Sequence, residues 1–151
     1  MPPSVPDLTA HVGYWLRQVS NHVSQAFARK LAAKDVTVAE WALMRVLYRA
    51  EPTLPSRLAE RMGLTRGAIT KLADRLIAKA LVVREADPDD GRMQTLSLTP
   101  KGTRFVPALA ALAEQNEAEC FAHLTEDERR LLKQVLQQIV SRLGLTSTPI
   151  T

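Results

Sequence analysis

Leu58-Ala59-Glu60-Arg61-Met62-Gly63-Leu64-Thr65-Arg66-Gly67-Ala68-Ile69-Thr70-Lys71-Leu72 is the stretch on which the fold turns. Its apolar residues Leu58, Met62, Leu64, Ile69 and Leu72 fall where two helices crossing at a tight turn share a core. Ala59 is small where the helices approach, and Gly63 can take the positive φ that a three- or four-residue turn demands. Thr65 reads as the N-cap of the second helix. An ordinary helical hairpin inside a bundle would show the same apolar pattern, so the remaining face has to decide. That face carries Thr65, Arg66, Gly67, Ala68, Thr70, Lys71 and Arg75, and Asp74 is the only acid between Thr65 and Arg84. Small residues and hydroxyls let a backbone approach base edges and phosphates. Arg66 can donate two hydrogen bonds to a guanine, and Lys71 or Arg75 can neutralise phosphate.

Working outward, Pro55 to Met62 is the first helix of this pair and Thr65 to about Lys79 the second. Leu81-Val82-Val83 and Thr95-Leu96-Ser97-Leu98 are strand candidates around the turn-forming run Asp87-Pro88-Asp89-Asp90-Gly91, which predicts a hairpin with a long loop. Arg92 sits near its tip beside Asp90. An arginine held out there can enter a narrow, electronegative minor groove with the aspartate orienting it; the plainer reading is a surface ion pair.

On the N-terminal side, Val12, Trp15, Leu16, Val19, Val23, Phe27 and Leu31 step by three or four and predict one long helix from about Thr9 to Ala33, a length that suits assembly. Thr37-Val38-Ala39-Glu40 is a capping box, with Val36 and Trp41 spaced as a hydrophobic staple. The helix it starts is expected to stop near Glu51-Pro52. On the C-terminal side, Thr99-Pro100 opens a helix to about Phe121, which Pro107 should bend. A second capping box, Thr125 to Glu128, precedes a helix with Leu131, Leu132, Val135, Leu136, Ile139, Val140 and Leu143 on one broad face. The expected class is therefore mainly α with a small β-hairpin wing: a winged helix-turn-helix domain plus long N- and C-terminal helices. The expected divisions are a flexible N-terminus over 1–8, terminal helices over 9–36 and 100–145, a DNA-binding unit over 37–99, and a frayed tail over 146–151.

Charge agrees with this placement. The 151 residues carry a net charge of +4, and the segment 56–104 alone holds ten Lys/Arg against six acids. The whole excess thus lies on the helix-turn-helix and hairpin, which points to a polyanionic partner. No stretch reaches the roughly 18 apolar residues of a membrane span, and the N-terminus lacks the pattern of a signal peptide, so a cytoplasmic location without membrane contact is expected.

Material for catalysis is sparse. His11, His22 and His123 lack partners at metal-ligand spacing, and Asp87-x-Asp89-Asp90-Gly91 departs from a calcium loop, with Leu98 where a glutamate belongs. No phosphate-binding glycine loop or nucleophile pairing is present, so neither an enzyme nor a cofactor is expected.

The helix-turn-helix, with Asp87-Pro88-Asp89-Asp90-Gly91-Arg92 followed by Leu96-Ser97-Leu98-Thr99-Pro100-Lys101-Gly102, resembles the multiple antibiotic resistance regulator (MarR) family of winged-helix repressors. Element order agrees over residues 8–144. The resemblance implies a homodimer with interlocked terminal helices whose two lobes read a pseudo-palindromic operator in double-stranded DNA. It places Thr65, Arg66, Gly67, Ala68, Thr70 and Lys71 on the recognition helix and Arg92, supported by Asp90, on the wing. It also implies release of DNA by a small aromatic acid, a phenol or an oxidant. In the family the effector pocket lies between the dimerisation helices and the DNA-binding lobe, where Tyr14, Arg17, Trp41 and Arg45 can line it; alternatively the tryptophans are core and the arginines surface. Two departures stand out. Ala80 occupies a position where the family often has glycine, and Cys120 lies far from the reactive cysteine of peroxide-sensing relatives, so a packed, inert thiol is expected. The rival reading is a winged helix that docks on an acidic protein.

Overall fold

The structure is a computed structural model that describes residues 1–151. Six helices and one hairpin follow in order: α1 Val12–Ala32, α2 Val38–Leu47, α3 Pro55–Met62, α4 Arg66–Ala78, β1 Val82–Ala86, β2 Gln94–Leu98, α5 Pro100–Phe121 and α6 Glu126–Leu143. This is the expected mainly α chain with a winged helix-turn-helix.

Local chemistry sets most boundaries. Thr37 and Thr125 each close a full capping box with Glu40 and Glu128, while Thr65 and Thr99 each accept from the backbone N–H three residues on. Each bond satisfies a helix-end donor that would otherwise lack a partner. Gly63 ends α3 at φ +65°, the left-handed conformation the turn required.

Three boundaries depart from the sequence expectation. Leu8–Ala10 form a separate 3-10 turn and His11 is extended, so α1 begins at Val12, not Thr9; the Trp15 indole N–H donates to the Thr9 carbonyl across this break. The second helix ends at Leu47, ahead of Pro52, because Arg49 takes φ +58° and turns the chain there. Both strands run further towards the tip than expected, pairing from Val82↔Leu98 to Ala86↔Gln94. Helix α5 runs from Pro100 to Phe121 as expected, with Pro107 inside it; Pro107 is exposed, as is Thr103, the residue whose carbonyl the missing N–H would have met.

One apolar core of 17 residues joins the elements. Leu31 of α1, Leu43, Met44 and Leu47 of α2, Leu58 and Met62 of α3, Ile69, Leu72 and Leu76 of α4, Leu96 of β2, and Val106 and Leu109 of α5 all belong to it. The hairpin is anchored at its base. Thr53, between α2 and α3, exchanges both backbone hydrogen bonds with Leu96 at 3.0 and 2.8 Å, adding a single residue beside β2. Gly102 lets α5 pass against the start of β1, since a Cβ there would lie 2.1 Å from the Leu81 carbonyl oxygen. The tight approach explains why glycine closes the Leu-Thr-Pro-Lys-Gly run.

Two helical faces find no cover within the chain. Val12, Trp15, Leu16 and Val19 on α1 are exposed, as are Leu131, Leu132, Val135, Ile139, Val140 and Leu143 on α6. No residue of α6 is buried. The tail makes contacts of its own. Thr148 N–H donates to the Met62 carbonyl at 2.8 Å and the Ser147 hydroxyl to the Gly63 carbonyl at 3.3 Å, so residues beyond Thr146 lie against the α3–α4 turn.

Candidate nucleic-acid interface

Helix α4 buries Ile69, Leu72, Ala73 and Leu76 and turns its opposite side to solvent. At about 100° per residue this leaves Gly67 and Lys71, with Asp74, near the middle of the free face, places Thr70 and Arg66 towards its edge by the hairpin and puts Arg75 towards the opposite edge. Arg66, Gly67, Thr70, Lys71 and Arg75 are exposed and Ala68 is half-buried. Thr65 is exposed too, but its hydroxyl already accepts from Ala68 N–H at 3.1 Å, which commits the oxygen to the helix cap and leaves its proton to donate. The Thr70 hydroxyl donates back to the Arg66 carbonyl at 3.0 Å. No carboxylate lies within ion-pair distance of Arg66, Lys71 or Arg75. Three cations on one helix are thus free to meet an anion.

The wing supplies the second contact. Arg92 and Asp90 face each other in two hydrogen bonds, Nε to Oδ1 at 3.1 Å and Nη2 to Oδ2 at 3.3 Å, and the Arg92 backbone N–H also donates to Oδ1. These bonds hold the Asp90 carboxyl below its ordinary range. The guanidinium is nonetheless 91% exposed, so the aspartate steers it without covering it. Between helix and wing runs a cleft of about 570 Å³ whose lining includes Arg66, Thr70, Arg84, Arg92 and Gln94. Arg84 was not singled out in the sequence; Asp74, the lone acid of the recognition helix, holds it at 3.0 Å. The pairing partner, not the residue type, was the missing signal, because it depends on how β1 crosses α4.

The far end of α4 is fixed by a buried carboxylate. Glu40, 1% exposed, uses one oxygen for the capping box and the other for Lys79 Nζ at 2.8 Å; the same ammonium donates to the Asp35 carbonyl. Lys101 donates to the Lys79 carbonyl and the Thr99 hydroxyl to that of Ala80. Recognition helix, α2 and α5 are thereby tied at one point.

A second candidate region lies between α1, α2 and α5. Trp41 and Arg45 line a cavity of about 470 Å³ together with Val23, Phe27 and Asn116. Phe27 meets Trp41 edge-on at 6.4 Å, and Asn116, buried, donates to the Val23 carbonyl while accepting from Lys30. Tyr14 does not join them. It lies nine residues before Val23, about 13 Å along α1, edge-on to Trp15. Arg17 shares that exposed part of α1, so within one chain the four expected ligand residues divide into two pairs. Phe27 and Asn116 were missed because apolar spacing and a lone amide carry no sign of a cavity.

The profile of the MarR family matches residues 34–93, from the start of α2 to the wing tip. The multiple antibiotic resistance protein MarR of Escherichia coli is 25% identical over 130 residues, which cover 85% of this chain and 90% of that one. The chain is thus similar to MarR-family proteins over its helix-turn-helix and wing. Another relative, the transcriptional repressor IacR of Pseudomonas putida, is 24% identical over 130 residues, covering 86% of this chain and 78% of that one. Two solved structures superpose closely. A mutant E. coli MarR in complex with operator DNA gives a TM-score of 0.77 at 24% identity, covering 89% of this chain and 99% of that one. Bordetella bronchiseptica BpsR, whose DNA binding is regulated by 6-hydroxynicotinic acid, gives 0.78 at 21% identity, covering 90% and 97%. At these identities the likeness establishes the shared fold. No helix of this chain is long and apolar enough to cross a membrane.

Proposed function

We propose that this chain is a MarR-family regulator that binds a pseudo-palindromic DNA operator as a homodimer and acts as a repressor. The observation that carries the reading is the cleft shared by Arg66 and Thr70 of α4 with Arg92 of the wing, beside the unpaired Lys71 and Arg75. A helix of this width fits the major groove, where Arg66 reads base edges and Thr65, Gly67 and Ala68 allow close approach. Lys71 and Arg75 neutralise phosphate, and Arg92, aimed by Asp90, enters the adjacent minor groove. Residues 37–99 form the DNA-binding unit and 9–36 with 100–145 the dimerisation helices. The exposed apolar faces of α1 and α6 support this assignment, since such stripes seek burial against a second copy. The solved E. coli complex with operator DNA supports the same docking mode.

The cavity beside Trp41 and Arg45 is the effector site in this reading. Its aromatic walls suit a ring and its arginine a carboxylate or phenolate, so a small aromatic acid or phenol relieves repression. The response of BpsR to an aromatic acid supports that ligand class. Selection of bound fragments from a random duplex library tests the DNA reading. Recovery of inverted repeats with half-sites about 34 Å apart is the expected result, and failure to retain any duplex at low salt overturns it.

A further inference from the structure

The tail makes contacts that neither the DNA interface nor the terminal helices explain. After Gly144 ends α6 at φ +65°, Leu145 N–H closes on the Val140 carbonyl and the chain turns back. Ser147 then packs on the helix-turn-helix: a Cβ added to Gly63 would sit 2.7 Å from its Cα. Thr148 is half-buried and donates to the carbonyl of Met62, the last residue of α3. With Thr148, the following Pro149 and Thr151 form part of the wall of the cavity that holds Phe27, Trp41 and Arg45. One segment of five residues therefore touches both the turn of the DNA-binding motif and the opening between the helices.

We infer that Ser147–Thr151 is a strap that closes this cavity and clamps the α3–α4 turn, so that a molecule entering the cavity releases the clamp. The physical basis is competition for one volume. A cavity of about 470 Å³ is of the size that holds a small aromatic molecule. Part of its wall is tail, held by two hydrogen bonds and the packing of Ser147 on Gly63. Such a segment opens at low cost compared with a core helix, which is the property a movable closure needs. Displacing Pro149 and Thr151 pulls on Thr148, whose N–H pairs the Met62 carbonyl that α3 leaves without a helical partner at its C-terminus. The clamp's effect on DNA affinity rests on the function proposed above; the closure itself does not.

The test uses the Trp15→Phe chain, in which Trp41 is the only tryptophan, the parent having two. It is compared with the same chain ended after Leu145 and with Thr148→Pro, which removes the donor to Met62 while keeping the tail. In the full chain the Thr148 amide should exchange about tenfold more slowly than in a free peptide. Acrylamide quenching of Trp41 should rise about twofold in both variants. Free-peptide exchange at Thr148, or equal quenching in all three proteins, overturns the strap. Duplex affinity should fall about fivefold in both variants, and unchanged or tighter binding overturns the clamp. If the full chain binds no duplex at all, the DNA reading fails while exchange and quenching still decide the closure.

Discussion

The Asp90 carboxylate grips the Arg92 guanidinium through both of its oxygens at the tip of the wing, yet leaves it 91% exposed. A free arginine samples many rotamers, and the aspartate restricts that freedom. Asp90→Ala should weaken duplex binding by less than Arg92→Ala, because it loses orientation and not charge. Fluorescence anisotropy checks the order; an Asp90→Ala loss equal to or larger than that of Arg92→Ala would reject it.

The same pair fixes a pH response. Asp90, Glu119 and Glu128 are all held below the ordinary carboxylate range, by Arg92, by Lys30 and by the Thr125 cap respectively. A carboxyl lowered on folding adds stability that is fully present above its unfolded value and is lost as pH falls through the folded one. Stability should therefore be flat near neutrality and decline only in the acid range. Carboxyl chemical-shift titration of Asp90 should give a midpoint below the ordinary 3.8, moving back towards it in Arg92→Ala, which keeps only the backbone N–H donor.

Arg66 and Lys71 should fail differently. Loss of a guanine-reading arginine costs about 1–3 kcal/mol and relaxes the sequence preference. Loss of a phosphate contact weakens all duplexes alike and makes the salt dependence shallower by about one ion. Binding of both alanine variants to specific and random duplexes across a salt series separates the two. Equal behaviour would show the recognition face is misassigned.

Ala80 sits at φ +60°, exposed, directly after the recognition helix. A side chain at that φ costs on the order of 1 kcal/mol relative to glycine. Ala80→Gly should raise the unfolding free energy by about that amount, read as a higher urea midpoint with an unchanged slope. Gly102→Ala should do the opposite, losing about 1–3 kcal/mol or more, because the added methyl collides with the Leu81 carbonyl. A neutral Gly102→Ala would mean that α5 can shift freely against the hairpin.

Ile139→Asp places a charge in the uncovered face of α6. Within one chain it meets solvent and should be harmless to the fold; in a dimer it would be desolvated against apolar surface. Sedimentation should show a folded monomer in place of a dimer. An unchanged dimer would place the interface elsewhere.

Local signals and long-range ones were legible to different degrees. The capping threonines 37, 65, 99 and 125 and the turn glycine 63 could be read directly, because each acts on backbone groups within three or four residues. The recognition face followed from the same local periodicity. Arg49 ending α2, Arg84 held by Asp74, and Lys79 neutralising Glu40 could not be read, since each depends on an angle or a neighbour set by other elements.

Sequence alone determined where helices start, which stripe of each is apolar, and that the positive charge collects on one motif. Those are properties of short segments and of composition. Only the tertiary structure decided that Arg66 and Arg92 share one cleft, that Phe27 and Trp41 wall a cavity while Tyr14 lies elsewhere, and that the tail folds onto Gly63. The reason is that such meetings depend on how the packed core orients whole elements, and no local spacing encodes that orientation.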